Sequence, residues 1–322
     1  MATTLPIVYV KQNSTVEDHD FYLRIINFPE FWLVLAVVGF AMSAVTVVSN
    51  AVLLFTIYKN PRQSFRTPPN FLIANLSSSE FLLGILVVFL VALRDVFRYL
   101  RLPVPYVEEL KVFIYIVVSI TLFVSSATII AMSLTCYVAI NNPMVYKTRI
   151  TTRRIKILIA LIWIVALLIS FLPATNLPEK TYTLIYFHTH VSLPAILLTV
   201  TYVNVFRALS RRTHEARRSF KDTAMGRRHN FTRERKMVKT IITVLALFYI
   251  TYIPQYITLH LLYFCEGCQE SVTFHEIDVV LSRFLFLSSA IDPFIYAWRI
   301  PKYRRALRDC WKMLKKQIKF PI

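Results

Sequence analysis

The sequence predicts an all-α integral membrane protein: a bundle of seven transmembrane helices followed by a short amphipathic helix on the membrane surface. Three observations carry that prediction. Hydrophobic residues make up 56% of the 322 residues, and the mean hydropathy is +0.53, both beyond an ordinary globular domain. Seven apolar runs are each long enough to cross a hydrocarbon core, which needs about 20 helical residues. The basic residues, which give a net charge of +19, fall in short blocks between alternate runs.

The runs lie at about 32–58, 69–93, 108–141, 155–174, 183–210, 236–263 and 275–299. They must be helices, because lipid offers no partner to a backbone N–H or C=O. The fifth is the weakest, since the stretch from Tyr182 to His190 is only moderately apolar. Residues 1–30 form a tail, 31–300 the bundle, and 301–322 the surface helix and C-terminus. The tail lacks an early uninterrupted apolar core, so the first run is expected to act as an uncleaved start-transfer segment.

Seven crossings put the chain ends on opposite sides, and the loops say which is which. Lys59, Arg62 and Arg66 follow the first run. Lys147, Arg149, Arg153, Arg154 and Lys156 follow the third, and a longer block including Arg211, Arg212, Arg217, Arg218, Arg227, Arg228, Arg235 and Lys236 follows the fifth. The C-terminal segment is also basic. By the positive-inside rule these face the cytosol, and the N-terminus lies outside. The charge is thus expected to meet anionic membrane lipid and a cytosolic partner, not nucleic acid. Asn13-Ser14-Thr15, on the outer side, is a glycosylation acceptor pattern at Asn13. Beyond Pro301, Tyr303, Ala306, Leu307, Cys310, Trp311 and Leu314 form one stripe flanked by basic residues, as in an interfacial helix. Cys310 on it is a palmitoylation candidate or an unmodified thiol.

Single residues and motifs recur through the runs in a fixed order: Asn50; Asn75-Leu76-Ser77-Ser78-Ser79-Glu80; Thr135-Cys136-Tyr137, with Pro143 and Tyr146; Trp163; Pro194 and Tyr202; Phe248, Tyr252 and Pro254; Asp292-Pro293-Phe294-Ile295-Tyr296. Taken together over about residues 30–315, they resemble the rhodopsin-like (class A) G-protein-coupled receptors. The segment from Ala290 to Arg308 is similar to the adenosine and melanocortin branches.

The resemblance implies a plasma-membrane receptor that passes an extracellular ligand signal to a heterotrimeric G protein or arrestin. It implies an activation set of Cys136, Tyr137, Tyr202, Glu234, Phe248, Pro254 and Tyr296. It also implies a disulfide between Cys265 and Cys268 in the last outer loop. In the family, the layer holding Glu80, Ser125 and Asp292 binds sodium. Here the two acids are expected to share a cation or a proton, or to serve packing only; no other metal is expected. Position for position, the ligand site falls on Val118, Ser119, Leu122, Tyr252, Gln255, Tyr256, Leu259, Ser282, Leu285 and Phe286. That lining reads as mostly apolar and aromatic, suited to a small apolar or lipid-like ligand. Phe286 stands where opsins keep the retinal lysine, which excludes a Schiff-base pigment. Arg283 is expected to snorkel to the outer surface.

The chain departs from the family where the family couples ligand to G protein. Cys136 replaces the central arginine, Thr135 the acid before it, Glu80 an aspartate and Tyr252 the toggle tryptophan. An atypical receptor that does not couple to G protein is therefore the alternative within the fold. A transporter or proton conductor using Glu80 and Asp292 is the alternative outside it, although no internal repeat of the transporter kind is present. No nucleophile–base set or metal cluster supports an enzyme, and no cofactor is expected.

Overall fold

A computed structural model describes residues 27–59, 65–102, 107–171, 185, 188–218 and 225–319. Asn13 and the side chain of Glu234 lie outside the described residues. Seven long helices pack side by side: α1 (Pro29–Lys59), α2 (Pro68–Tyr99), α3 (Val107–Asn141), α4 (Thr152–Ser170), α5 (a π-helical turn His188–Ser192 running into Leu193–Arg218), α6 (Met225–Phe264) and α7 (Val272–Phe284, then Leu287–Arg299). An eighth, α8 (Pro301–Lys319), follows. The short helices Pro143–Arg149 and Glu266–Gln269, which periodicity did not predict, sit in the loops after α3 and α6.

Six of these helices are long and apolar enough to cross a membrane. The exception is α4, whose N-terminal end carries Arg153, Arg154 and Lys156 within its first five residues. Beyond them α4 is uncharged to Ser170. Its exposed face is wholly apolar at Ile157, Leu161, Ile164 and Leu168, as lipid requires. A polar tie fixes it to the bundle: Trp163 Nε1 donates to Asn75 Oδ1 at 2.8 Å, and Asn75 Nδ2 donates to Thr128 Oγ1 of α3 at 2.7 Å. The chain is thus a multi-pass membrane protein with seven helices in one bundle.

Each helix shows one stripe to its neighbours and another to lipid. In α1 the buried stripe is Trp32, Leu35, Ala36, Gly39, Ser43, Thr46, Asn50, Leu53 and Thr56, which follows the 3.6-residue period. Val34, Val37, Val45, Val48 and Val52 face outward. Small residues let backbones approach without a hydrophobic drive between helices. A Cβ on Gly39 would stand 2.8 Å from that of Ala92 in α2. In α3, the most buried helix, threonines donate to carbonyls one turn back, as Thr121 does to Val117 (2.7 Å) and Thr135 to Ala131 (2.6 Å). This satisfies their hydroxyls where water is absent.

A π turn at Gly84–Val88 interrupts α2. Ser43 of α1 donates its hydroxyl to the Gly84 carbonyl at 3.0 Å. One extra residue in a turn rotates everything beyond it by roughly 100°. Without it, the inward series from Leu83 would run through 87, 90 and 94; beyond the turn the buried residues are instead Val91, Ala92, Asp95 and Arg98, with Leu90 and Arg94 half-buried. The turn brings a carboxylate and a guanidinium into the bundle.

Candidate functional site

The interior of the bundle holds three polar or functional layers between the α8 end and the opposite end. At the foot of α3, Cys136 is 1% exposed. It packs in an apolar cluster with Ile140, with Val205 and Ala208 of α5, and against Tyr137 and Ile242 of α6. Where the family places a guanidinium, the chain has a neutral seal joining three helices. Tyr202 packs on the main core and Tyr296 is fully buried within it. Beside this foot, α8 docks through Tyr303. Its hydroxyl donates to Asn70 Oδ1 at 3.0 Å and its ring lies 4.9 Å from that of Phe65. Burial pushes the Tyr303 phenol above its ordinary range. Cys310, one face further along α8, is also buried, beside Thr56 of α1. Burial raises its thiol, and an acyl chain there would require α8 to lift from α1.

The middle layer is built around a proline. Pro293 has no N–H, so the carbonyl of Ser289, four residues earlier, loses its helical partner. Asn50 Nδ2 supplies the missing donor at 3.1 Å and also donates to Thr46 O at 3.0 Å. Glu80 faces Asp292 and Asn50, and both acids are 2% exposed. Among the described residues, Asn50 Oδ1, Glu80 Oε2, Asp292 Oδ1 and Tyr296 OH are buried without a hydrogen-bond partner. Such orphaned oxygens at hydrocarbon depth are costly. Two carboxyl groups, an amide oxygen and a phenol fit a small hard cation, and equally one shared proton. Ser125, expected in this layer, is paired with Ser79 at 3.0 Å. The structure brings Glu80 and Asp292 together and places Ser125 beside them through Ser79. Above, Tyr252 stacks on Phe248 with ring centres 4.2 Å apart.

In the half away from α8, eight of the ten positions expected to line a ligand site are buried: Val118, Ser119, Leu122, Tyr252, Gln255, Leu259, Ser282 and Phe286. Tyr256 and Leu285 are half-buried. Val118, Leu122, Tyr252 and Phe286 share one apolar cluster, with Leu285 against it. The polar members are tied to partners that reading the sequence missed. Ser119 meets His190 Nε2 of α5 at 3.2 Å. Gln255 Nε2 donates to Asp278 Oδ1 of α7 at 3.0 Å.

Arg283 corrects the expectation of a snorkelling cation. Its Nη2 lies 3.0 Å from both carboxylate oxygens of Asp95 and its Nε 3.2 Å from one. Asp95 is fully buried and also faces Arg98 at 3.5 Å. The Arg98 guanidinium lies over the Trp32 ring, 4.4 Å from its centre. A buried charged group thus joins α1, α2 and α7, at positions outside the ten expected to line a ligand site. The Cys265–Cys268 disulfide is present in the short helix after α6, as expected. A separate apolar groove of about 530 Å³ lies between α1, α7 and α8, lined by Val48, Val52, Phe294 and Leu307 among others. Its lining includes Pro293 of the middle layer.

Seven packed helices, with a carboxyl pair between α2 and α7 and a proline hinge in α6, define a membrane receptor bundle. The profile of the 7 transmembrane receptor (rhodopsin family) matches residues 49–180 and 175–296, and the chain belongs to that family of rhodopsin-like, class A G-protein-coupled receptors. It is a receptor and not an enzyme. Melanopsin from Phodopus sungorus is 27% identical over 300 residues, covering 81% of this chain and 58% of its own length. Lysophosphatidic acid receptor 1-B from Xenopus laevis is 23% identical over 279 residues, 81% of this chain and 71% of its own length. Lysophosphatidic acid receptor 1 from Homo sapiens is 22% identical over 280 residues with the same coverage, 81% and 71%. The chain thus spans less than two thirds of the melanopsin. These relatives lend no support to a place beside the adenosine and melanocortin branches.

Proposed function

We propose that this chain is a plasma-membrane receptor, N-terminus outside and glycosylated at Asn13, that answers a small lipid-like amphiphile and activates a heterotrimeric G protein. The observation that carries the ligand class is the buried Asp95–Arg98–Arg283 group, which offers a polar head-site; the apolar cluster of Val118, Leu122, Tyr252 and Phe286 offers a body-site. Two guanidiniums around one carboxylate suit an anionic head, since arginine binds carboxylate and phosphate through a planar fork. The lysophosphatidic acid receptors among the relatives fit that class. The likeness to melanopsin does not extend to a pigment, because Phe286 is a buried phenylalanine at the position of the opsin lysine.

Ligand shifts an equilibrium between bundle states that exist without it. The helical Pro254 of α6 gives the hinge, and the stacked Phe248 and Tyr252 join the ligand layer to the carboxyl layer. At the basic inner face, a G protein or arrestin then meets Tyr137, Tyr202 and Glu234 without an α3 arginine. Anionic inner-leaflet lipid holds α8, and Cys310 becomes available to acylation only when α8 lifts.

The test is G-protein activation in cells challenged with lysophosphatidic acid and with a neutral acyl amphiphile of the same chain length. The anionic amphiphile is expected to activate. Arg98→Ala is expected to shift its potency about tenfold or more, the cost of one charge-assisted hydrogen bond of about 1.5–3 kcal/mol. Equal responses of native and variant to both lipids contradict the head-site.

A further inference from the structure

The groove between α1, α7 and α8 has a volume of about 530 Å³, and Ser49 is the one polar residue in its lining. The Ser49 hydroxyl donates to the Thr46 carbonyl of its own helix at 3.4 Å, so the groove offers hydrocarbon only. Val45, Val48, Val52 and Phe294 of its walls are exposed, which opens it to the membrane. Lipid tails are all as apolar as these walls, and the walls cannot choose among them. The choice falls to the end of the groove.

That end is cationic. On α1 the lining residues Val45, Val48 and Val52 continue at helical spacing through Phe55 to Lys59. Lys59 is exposed, and its ammonium lies 5.7 Å from the centre of the Phe55 ring. On α8 the face of Leu307 is shared by Arg304, three residues before it, and Trp311, four after it. Arg304 is exposed as well. Lys59 is near enough to act on the Cys310 thiol, which brings the end of α1 against α8. The single carboxylate of α8, Asp309, stands two residues from Leu307 and so off that face. Trp298, one turn beyond Phe294, and Trp311 are 63% and 62% exposed. Tryptophan gathers where hydrocarbon gives way to headgroups, so the two cations stand at the depth of a lipid phosphate.

We propose that this groove is a site for one anionic glycerophospholipid of the leaflet on the α8 side. An acyl chain lies along Val45, Val48 and Phe294, and the phosphate rests between Lys59 and Arg304. The neutral hydroxyl of a sterol leaves both cations unmatched, and the choline of phosphatidylcholine adds a positive charge beside them. The bound lipid ties α7, at Pro293, to α1 and α8. This deepens the reading that anionic lipid holds α8 by giving one lipid a place. Its test counts lipid and not signalling, so its failure leaves the G-protein reading standing.

The full-length chain in detergent micelles is mixed with phosphatidylserine, phosphatidylcholine or cholesterol, and native mass spectrometry counts the lipid retained. The native chain is expected to hold one phosphatidylserine at concentrations where it holds no phosphatidylcholine. Lys59→Gln with Arg304→Gln is expected to weaken that binding about tenfold or more, the weight of two cations at a membrane surface. Arg305→Gln with Lys312→Gln removes the same charge from the part of α8 that lies with Asp309, and is expected to leave the binding unchanged. Ala44→Trp fills the groove from an exposed position on its wall and is expected to abolish the binding. Equal retention of phosphatidylserine and phosphatidylcholine by the native chain, displacement of phosphatidylserine by equimolar cholesterol, equal losses in the two paired variants, or native retention in Ala44→Trp overturns the proposal.

Discussion

Asp95→Ala is expected to destabilise the receptor by about 3–5 kcal/mol, the range for stripping the partner from a buried charge. Asp95 is fully buried, holds Arg283 at 3.0 Å and faces Arg98. Its removal leaves two guanidiniums in the bundle with no carboxylate between them. Replacing both members of the principal pair should cost far less, because apolar residues of similar size need no compensation. Asp95→Leu with Arg283→Leu is therefore expected to recover most of the loss, with Arg98 still lying on the Trp32 ring. Thermal unfolding of the native chain, Asp95→Leu, Arg283→Leu and the double variant in detergent gives the coupling as a double-mutant cycle. Strict additivity, or a loss below about 1 kcal/mol for Asp95→Ala, would mean the charges are solvated and the polar head-site does not exist as described.

Glu80→Gln is expected to abolish any difference between sodium and choline salts in the stability of the receptor. Native protein at about 0.15 M sodium chloride is expected to unfold about 2–4 °C higher than in choline chloride. That corresponds to a cation present at several times its dissociation constant. Asn50, Glu80, Asp292 and Tyr296 each bury an oxygen without a hydrogen-bond partner, and the Glu80 and Asp292 carboxyl groups face each other. Asp292→Asn should behave as Glu80→Gln does, since either change removes one of the two carboxylates. Equal midpoints for the native chain in both salts contradict cation binding and leave the two acids sharing a proton.

Much of the fold was readable because hydrocarbon permits so few solutions. Runs of apolar residues bounded by Lys and Arg admit only helices, and Asn50, Glu80, Trp163 and Asp292 mark four of them. Local irregularities hid the rest. The π turn at Gly84–Val88 passes silently through a run of uniformly apolar residues, so an even helical period points Asp95 away from the interior. Arg283 was visible as a cation in an apolar run, but its partner lay on the far side of that shifted register. The spacing of Asp95 and Arg98, three residues apart at the end of an apolar run, was the available signal. A second π turn, just before Pro194, carries both His188 and His190, where the fifth run looked weakest. The fate of Cys136 could not be read from sequence either. Its apolar neighbours Val205, Ala208 and Ile242 come from two other helices and nothing local announces them.

The central claim is that this bundle signals to a G protein although the foot of α3 is a buried thiol. The most direct measurement is basal G-protein activation in cells, comparing the native chain with Cys136→Arg at matched surface expression. The account predicts activation by the native chain above mock-transfected cells. Cys136→Arg, which forces a guanidinium into the cluster of Ile140, Val205 and Ala208, should change only the level. A silent native chain contradicts it: activity restored by Cys136→Arg would make the missing arginine the cause, and silence in both would place the receptor outside G-protein signalling.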